Sequence, residues 1–146
     1  MFVFGLQSVL DYRKNVEEKI LGEFSEKKRQ LETEELQLRN LITERENLIS
    51  ELRKMQDRSV HADEIARYVN YAEQIRDNEE KQKKVIIDVQ EQLEAVRKEL
   101  LEAVRREKVM EKLKERHAET YEGAMRAQEQ KDSDEMSVLK FGRRQK

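Results

Sequence analysis

The chain has 146 residues, 42% of them charged, and its 30 basic and 32 acidic side chains leave a formal net charge of -2. Only 36% of residues are apolar and 5% aromatic, and mean hydropathy is -1.01, so the apolar material does not suffice for a broad globular core. The absence of Cys excludes disulfide frameworks, thiolate nucleophiles and Cys-ligated metals.

Two classes accommodate such a composition. A disordered chain lacks the apolar burial that would offset the entropy of ordering. A coiled coil needs only a thin apolar seam between charged faces. The near-cancellation of charge favours the second, because mixed signs along helix faces are the coiled-coil pattern. No run of about 18 apolar residues is present, so no segment is expected to span a membrane. The apolar opening Met1 to Leu6 is followed at once by Asp11, Arg13 and Lys14, and has no basic stretch before it. It does not read as a signal peptide.

The first element is predicted as a helix over about 4–57. A heptad frame with Leu31 at position a places Leu10, Glu17, Phe24, Leu31, Leu38, Arg45 and Leu52 at a. The d positions are Leu6, Arg13, Ile20, Lys27, Glu34, Leu41, Leu48 and Met55. Most are apolar, and a period of 3.5 kept over this many turns predicts a supercoiled seam. Arg13, Glu17, Lys27, Glu34 and Arg45 interrupt it; their stems can pack while the charged heads reach water.

The pattern stops between Gln56 and Glu64, and a hairpin turn is expected over about 58–63. Ser59 or Asp57 can cap a following helix, and Asp63 and Glu64 suit its positive N-terminus. A second helix is predicted over about 64–139. Its a positions are Ile65, Ala72, Glu79, Ile86, Leu93, Leu100, Glu107, Lys114 and Tyr121. Its d positions are Tyr68, Ile75, Gln82, Val89, Val96, Ala103, Met110, His117 and Ala124. On the exposed faces, i,i+4 pairs such as Glu23/Lys27, Glu35/Arg39, Glu79/Lys83, Glu80/Lys84, Glu94/Lys98 and Glu102/Arg106 are expected to add a few tenths of a kcal/mol each. The basic tail over about 140–146 is expected to be disordered.

These elements give an all-α fold: one long two-helix antiparallel coiled-coil hairpin, in a single domain, with unequal arms. With the turn near 58–63, Leu6 falls opposite Lys114, and the second helix overhangs beyond about Thr120. That overhang carries Tyr121, Met125, Met136, Val138, Leu139 and Phe141 with no internal partner. An isolated helix of that kind is marginal in water, so fraying and an external partner are both compatible with it.

The chain offers little that resembles a catalytic or metal site. His61 beside Asp63 and Glu64 reads as capping, and His117 as seam or surface packing. No phosphate-binding, zinc-protease or nucleophile-elbow motif occurs. An enzyme is not expected, and no cofactor or metal is implied. Arg105, Arg106, Lys108, Lys112, Lys114 and Arg116 form a basic stretch. Glu107, Glu111 and Glu115 are interleaved with it, so nucleic-acid binding is not expected.

Two segments depart from generic coiled coil, and a third joins them near the end. The opening has Phe2, Phe4, Leu6, Gln7, Val9, Leu10, Asp11, Tyr12, Arg13 and Lys14 in the pattern Phe-x-Phe-x-Leu-Gln-x-Val-Leu-Asp-Tyr-Arg-Lys. After the turn comes Arg67-Tyr-x-Asn-Tyr71, and near the end Glu111-Lys-Leu-Lys and Glu129-Gln-Lys-Asp-Ser-Asp-Glu135. These segments resemble the FliJ family of bacterial flagellar export proteins, and the resemblance runs over the whole chain.

The resemblance implies a non-enzymatic, cytoplasmic component of the flagellar type III export apparatus, peripherally associated with the inner face of the cell membrane at the flagellar base. In that family the hairpin is similar to the central-stalk gamma subunit of rotary ATPases. It binds the hexameric export ATPase, promotes its assembly and activity, links it to the cytoplasmic domain of the membrane-embedded export gate, and handles export chaperones. Carried onto this chain, the resemblance implies an ATPase side at Leu6, Gln7, Leu10, Tyr12, Arg13, Asp134 and Glu135. It implies a gate side at Arg67, Tyr68, Asn70, Tyr71 and Gln74, the last standing where some relatives have an aromatic. Two other readings of the residues are a self-associating structural coiled coil and a helical-hairpin chaperone that cradles clients between its arms.

The heptad frame itself is testable. Leu38→Asp or Leu93→Asp places a carboxylate in the seam, and circular dichroism is expected to show loss of helicity; unchanged helicity and melting would reject the frame.

Overall fold

The computed structural model describes residues 1–57 and 61–144. Two helices account for nearly all of them: α1, Gln7–Gln56, with 50 residues, and α2, Ala62–Arg144, with 83 residues. The described residues are therefore all-α, in two helices of unequal length. Its contacts group into two units, Lys19–Leu100 and Met1–Glu18 with Leu101–Lys146.

Within the unit Lys19–Leu100, α1 and α2 run antiparallel. On α2, Ile75, Glu79, Gln82, Ile86 and Val89 are all buried, and these are consecutive a and d positions of the predicted frame. On α1 the a and d positions from Ile20 to Met55 are buried or half-buried without exception, and almost everything between them is exposed. Burial thus follows the 3.5 period, which is what a two-stranded seam requires.

Two polar members of the seam, Arg45 and Glu34, differ from the expectation that their heads reach water. Arg45 Nε lies 2.6 Å from Glu79 Oε1, with side-chain exposures of 25% and 6%. Gln82 Nε2 donates to the Glu34 backbone carbonyl at 3.0 Å and also to the Glu34 carboxylate. Lys27 Nζ donates to Gln92 Oε1 at 2.7 Å. Arg45 and Glu34 thus face the polar seam positions Glu79 and Gln82, whereas Lys27 reaches the exposed flanking residue Gln92. Among the described residues, no buried side-chain nitrogen or oxygen is left without a hydrogen-bond partner.

The surface ion pairs also differ from the expected set. Glu79 is drawn to Arg45 instead of Lys83, and Lys83 pairs with Glu80 three residues earlier at 3.5 Å. Glu94 pairs with Arg97 at 2.8 Å in place of Lys98. Of the expected i,i+4 pairs, Glu102 with Arg106 forms, at 3.3 Å.

In the other unit, the N-terminal segment packs against α2. Leu10 is fully buried, and Phe4 and Ala103 are nearly so. The Phe4 ring meets His117 edge-on at 5.4 Å, and Phe2 lies 5.6 Å from the Tyr121 ring. Leu6, assigned to the seam by the heptad frame, is exposed instead. The reason is local. Residues 5–6 form a turn, the Phe4 carbonyl accepts the Gln7 N–H, and the Leu6 carbonyl accepts the N–H groups of Val9 and Leu10. The helix therefore starts at Gln7 and not near residue 4, and Phe4 takes the buried place.

Two further boundaries differ from the sequence reading. The His61 carbonyl accepts from Glu64 and Ile65 N–H at 3.1 and 3.4 Å, so His61 occupies the N-cap position of α2, with Asp63 and Glu64 in its first turn. Residues 58–60 of the expected turn, including the capping candidate Ser59, lie outside the described residues. At the other end, α2 continues through 140–144, where a disordered tail was expected. Lys140 and Arg143 suit a helix C-terminus, where cations meet the negative end of the dipole. Residues 145–146 lie outside the described residues.

Beyond Tyr121 the side chains of α2 through Arg143 are all exposed. The N-terminal segment reaches only as far as Tyr121, so the overhang begins within a residue or two of the place the register predicts.

Arg45→Ala would leave the buried Glu79 carboxylate unpaired and is expected to cost about 1–3 kcal/mol, read by urea denaturation. Arg45→Leu with Glu79→Leu is expected to recover or exceed parental stability while admitting dimers in sedimentation at high salt. A strictly monomeric double variant would show that the ion pair does not set pairing.

Candidate partner-binding surfaces

The turn-proximal surface is built on the second to fourth turns of α2. Arg67, Asn70, Tyr71 and Gln74 are spaced i, i+3, i+4 and i+7, which places them on one face, and all four are exposed. Tyr68 occupies a d position and is half-buried in the seam. The two tyrosines thus divide their work: Tyr68 packs, and Tyr71 faces outward.

Tyr71 does not stand free. Its hydroxyl donates to the Glu44 carboxylate of α1. That hydrogen bond, and next the negative charge of Glu44, push the phenol above its ordinary pKa. The contact holds the ring against the helix pair while part of its face stays accessible. Glu44 was not singled out by the sequence reading. A signal for it exists: Glu44 and Tyr71 each precede an a position, and such g residues flank a coiled-coil seam.

The second candidate set lies near the N-terminus. Leu6 and Tyr12 are exposed, with the Arg13 guanidinium 5.8 Å from the centre of the Tyr12 ring. Gln7 Nε2 donates to Asp11 at 2.9 Å. Leu10 is core, so its part in any docking is to hold its neighbours in place. Asp134 and Glu135 are exposed on the overhang, where Gln130 Nε2 donates to Asp134 at 3.0 Å. At 1.5 Å per residue they lie about 20 Å along α2 from Tyr121. The structure therefore separates this set into two surfaces.

Beside the N-terminal surface lies an ionic cluster absent from the sequence reading. Lys14 Nζ is 3.0 Å from Glu111 Oε1. The hydrogen bond to Lys14 lowers the pKa of Glu111, and the reciprocal bond raises that of Lys14. Glu107 is shifted the other way: partial burial first, then its hydrogen bond to Glu111 and the charge of Glu17, hold its carboxyl above the ordinary range.

Among the described residues, no group of three or more His, Cys, Asp or Glu is placed to hold a metal ion. None of their helices is long and apolar enough to cross a membrane. The surfaces present aromatic, charged and amide side chains on rigid helices, which suits recognition of protein partners.

Comparison with known proteins adds one match. The model of a family described as flagellar FliJ protein matches residues 2–146. No curated protein matches the chain. No solved structure matches it either.

The cluster gives a pH prediction. A raised Glu107 pKa means that the folded state favours the protonated acid, a stabilisation present below the ordinary carboxylate range and lost as pH rises through the raised value. Glu107→Gln is therefore expected to raise Tm at pH 7, with the gain shrinking toward pH 4; a pH-independent difference would contradict the assignment.

Proposed function

Because the chain belongs to the flagellar FliJ family, we propose that this component of flagellar protein export acts as a non-catalytic stalk. In this reading it engages the ring of the export ATPase, promotes the ring's assembly and turnover, and connects it to the cytoplasmic domain of the export gate. The family also provides the reading that it receives export chaperones, from a cytoplasmic position peripheral to the membrane.

The observation that carries the proposal is the overhang of α2. Met125, Met136, Val138, Leu139 and Phe141 are all exposed there, on a stretch of α2 whose side chains pack against none of the described residues closely enough to be buried. Insertion into a ring would cover them. Tyr12 with Arg13 at the N-terminal segment, and Asp134 with Glu135 on the overhang, are the proposed ATPase contacts. Arg67, Asn70, Tyr71 and Gln74 are the proposed gate contacts, with Tyr68 as their packing support.

The two ends are separable by experiment. Asp134→Ala with Glu135→Ala is expected to reduce stimulation of the cognate export ATPase by about fivefold or more, a typical loss where contact residues carry the binding energy. Tyr71→Ala with Arg67→Ala is expected to leave that stimulation unchanged and to weaken capture by the gate's cytoplasmic domain. Equal effects of both pairs on both partners would sink the two-ended assignment, and absence of any complex with the ATPase across a range of salt would sink the stalk reading.

A further inference from the structure

The outward face of α2 carries a groove that neither docking set uses. Leu101, Val104, Arg105, Lys108, Val109 and Lys112 line it. They are spaced at 0, 3, 4, 7, 8 and 11 residues, the repeat of a single helix face. Leu101 is 51% exposed and Val109 61% exposed, large values for aliphatic residues beside a seam.

The positive charge of the groove rests on Lys108 and Lys112. Of the neighbouring carboxylates, Glu102 offsets the groove's own Arg105, whereas Glu111 is drawn away across the helix pair. Glu102 pairs with Arg105 and Arg106 at 3.7 and 3.3 Å, and Glu111 turns to Lys14 at 3.0 Å. Among the described residues, Lys108 and Lys112 form no ion pair. The result is an aliphatic floor between cations, with no carboxylate in its lining.

The overhang carries the complement. Lys131, Asp134, Glu135, Val138 and Leu139 line a shallow apolar surface, with Val138 70% and Leu139 62% exposed. From 129 to 135, Glu129, Asp132, Asp134 and Glu135 stand against the single cation Lys131. Both surfaces lie on the same uninterrupted helix, 27 residues apart from Lys108 to Glu135, or about 40 Å. A continuous helix cannot fold back over that span, so the two surfaces cannot meet within one chain.

We propose that they meet between two copies: the groove at Leu101–Lys112 of one chain receives the acidic, apolar overhang of another. Charge complementarity around an aliphatic centre favours this occupant, and such a contact weakens with salt because its ionic rim is exposed. The overhang is also the segment given to the ATPase above, so self-contact and ring insertion exclude one another. The test below reads the chain alone, and its failure leaves the ATPase reading untouched.

Sedimentation equilibrium of the full chain at low salt is expected to show concentration-dependent association that fades as salt is raised. Lys108→Glu with Lys112→Glu, and separately Asp134→Lys with Glu135→Lys, are each expected to weaken it roughly tenfold or more, with helicity by circular dichroism unchanged. An equimolar mixture of the two variants sets the introduced carboxylates of one chain against the introduced ammonium groups of the other and is expected to restore a one-to-one complex. A parent chain that stays monomeric at low salt overturns the proposal, as does a mixture that fails to associate. Binding to phosphatidylglycerol vesicles by a monomeric parent, abolished by the Lys108 and Lys112 changes, would assign the groove to an anionic lipid surface and overturns it equally.

Discussion

The polar layers across the seam are the constraint on which the rest depends. Arg45 meets Glu79, and Gln82 meets both the backbone and the side chain of Glu34. A two-stranded seam of leucines alone is permissive, because many registers and partners bury the same area. A buried polar group removes that freedom, since any other register leaves it unpaired at a cost of about 1–3 kcal/mol. Such layers add little net stability, and their best-attested role is to set register and partner. Here they favour each helix finding the other within the chain, which leaves the outer faces for partners.

The placement of the outer residues follows from that register. With Glu44 and Tyr71 flanking the seam, the Tyr71 hydroxyl is held by a carboxylate of the opposite helix, and Arg67, Asn70 and Gln74 line up beside it. At the N-terminal segment, Phe4 and Leu10 anchor the chain on α2 and leave Leu6 and Tyr12 outside. The side chains of α2 beyond Tyr121, through Arg143, then stand exposed. In the proposed role that exposure is useful: a helix with its apolar side chains already exposed needs no opening step before a partner covers it.

The helices and their seam were legible because burial follows the heptad period closely from Ile20 to Met55 and from Ile65 to Lys114. The start of the overhang was legible for the same reason, since arm lengths follow from where the pattern breaks. The exchange of Leu6 for Phe4 was not, because a turn at residues 5–6 shifts phase and the frame assumes a helix throughout. Glu34, Arg45, Glu79 and Gln82 read one at a time as flaws in each helix. Only the cross-helix register shows that they are partners. His61, read as capping from its place beside Asp63 and Glu64, stands at the N-cap of α2, where its backbone carbonyl accepts the first helical bonds. Of the candidate site, the exposed stripe at 67, 70, 71 and 74 could be read from helical spacing. The burial of Leu10 could also be read from its a position, whereas the cluster of Lys14, Glu107 and Glu111 needed the register.

The central claim is that this seam closes within one chain, antiparallel, at the register the polar layers set. The chain has no Cys, so Glu35→Cys with Lys83→Cys places two spin labels beside the Glu34–Gln82 layer. Pulsed electron resonance should report one short distance, consistent with helix axes about 8–10 Å apart, and that distance should persist on dilution with excess unlabelled chain. Loss of the short distance on dilution would mean that the seam forms between chains, and would contradict the account.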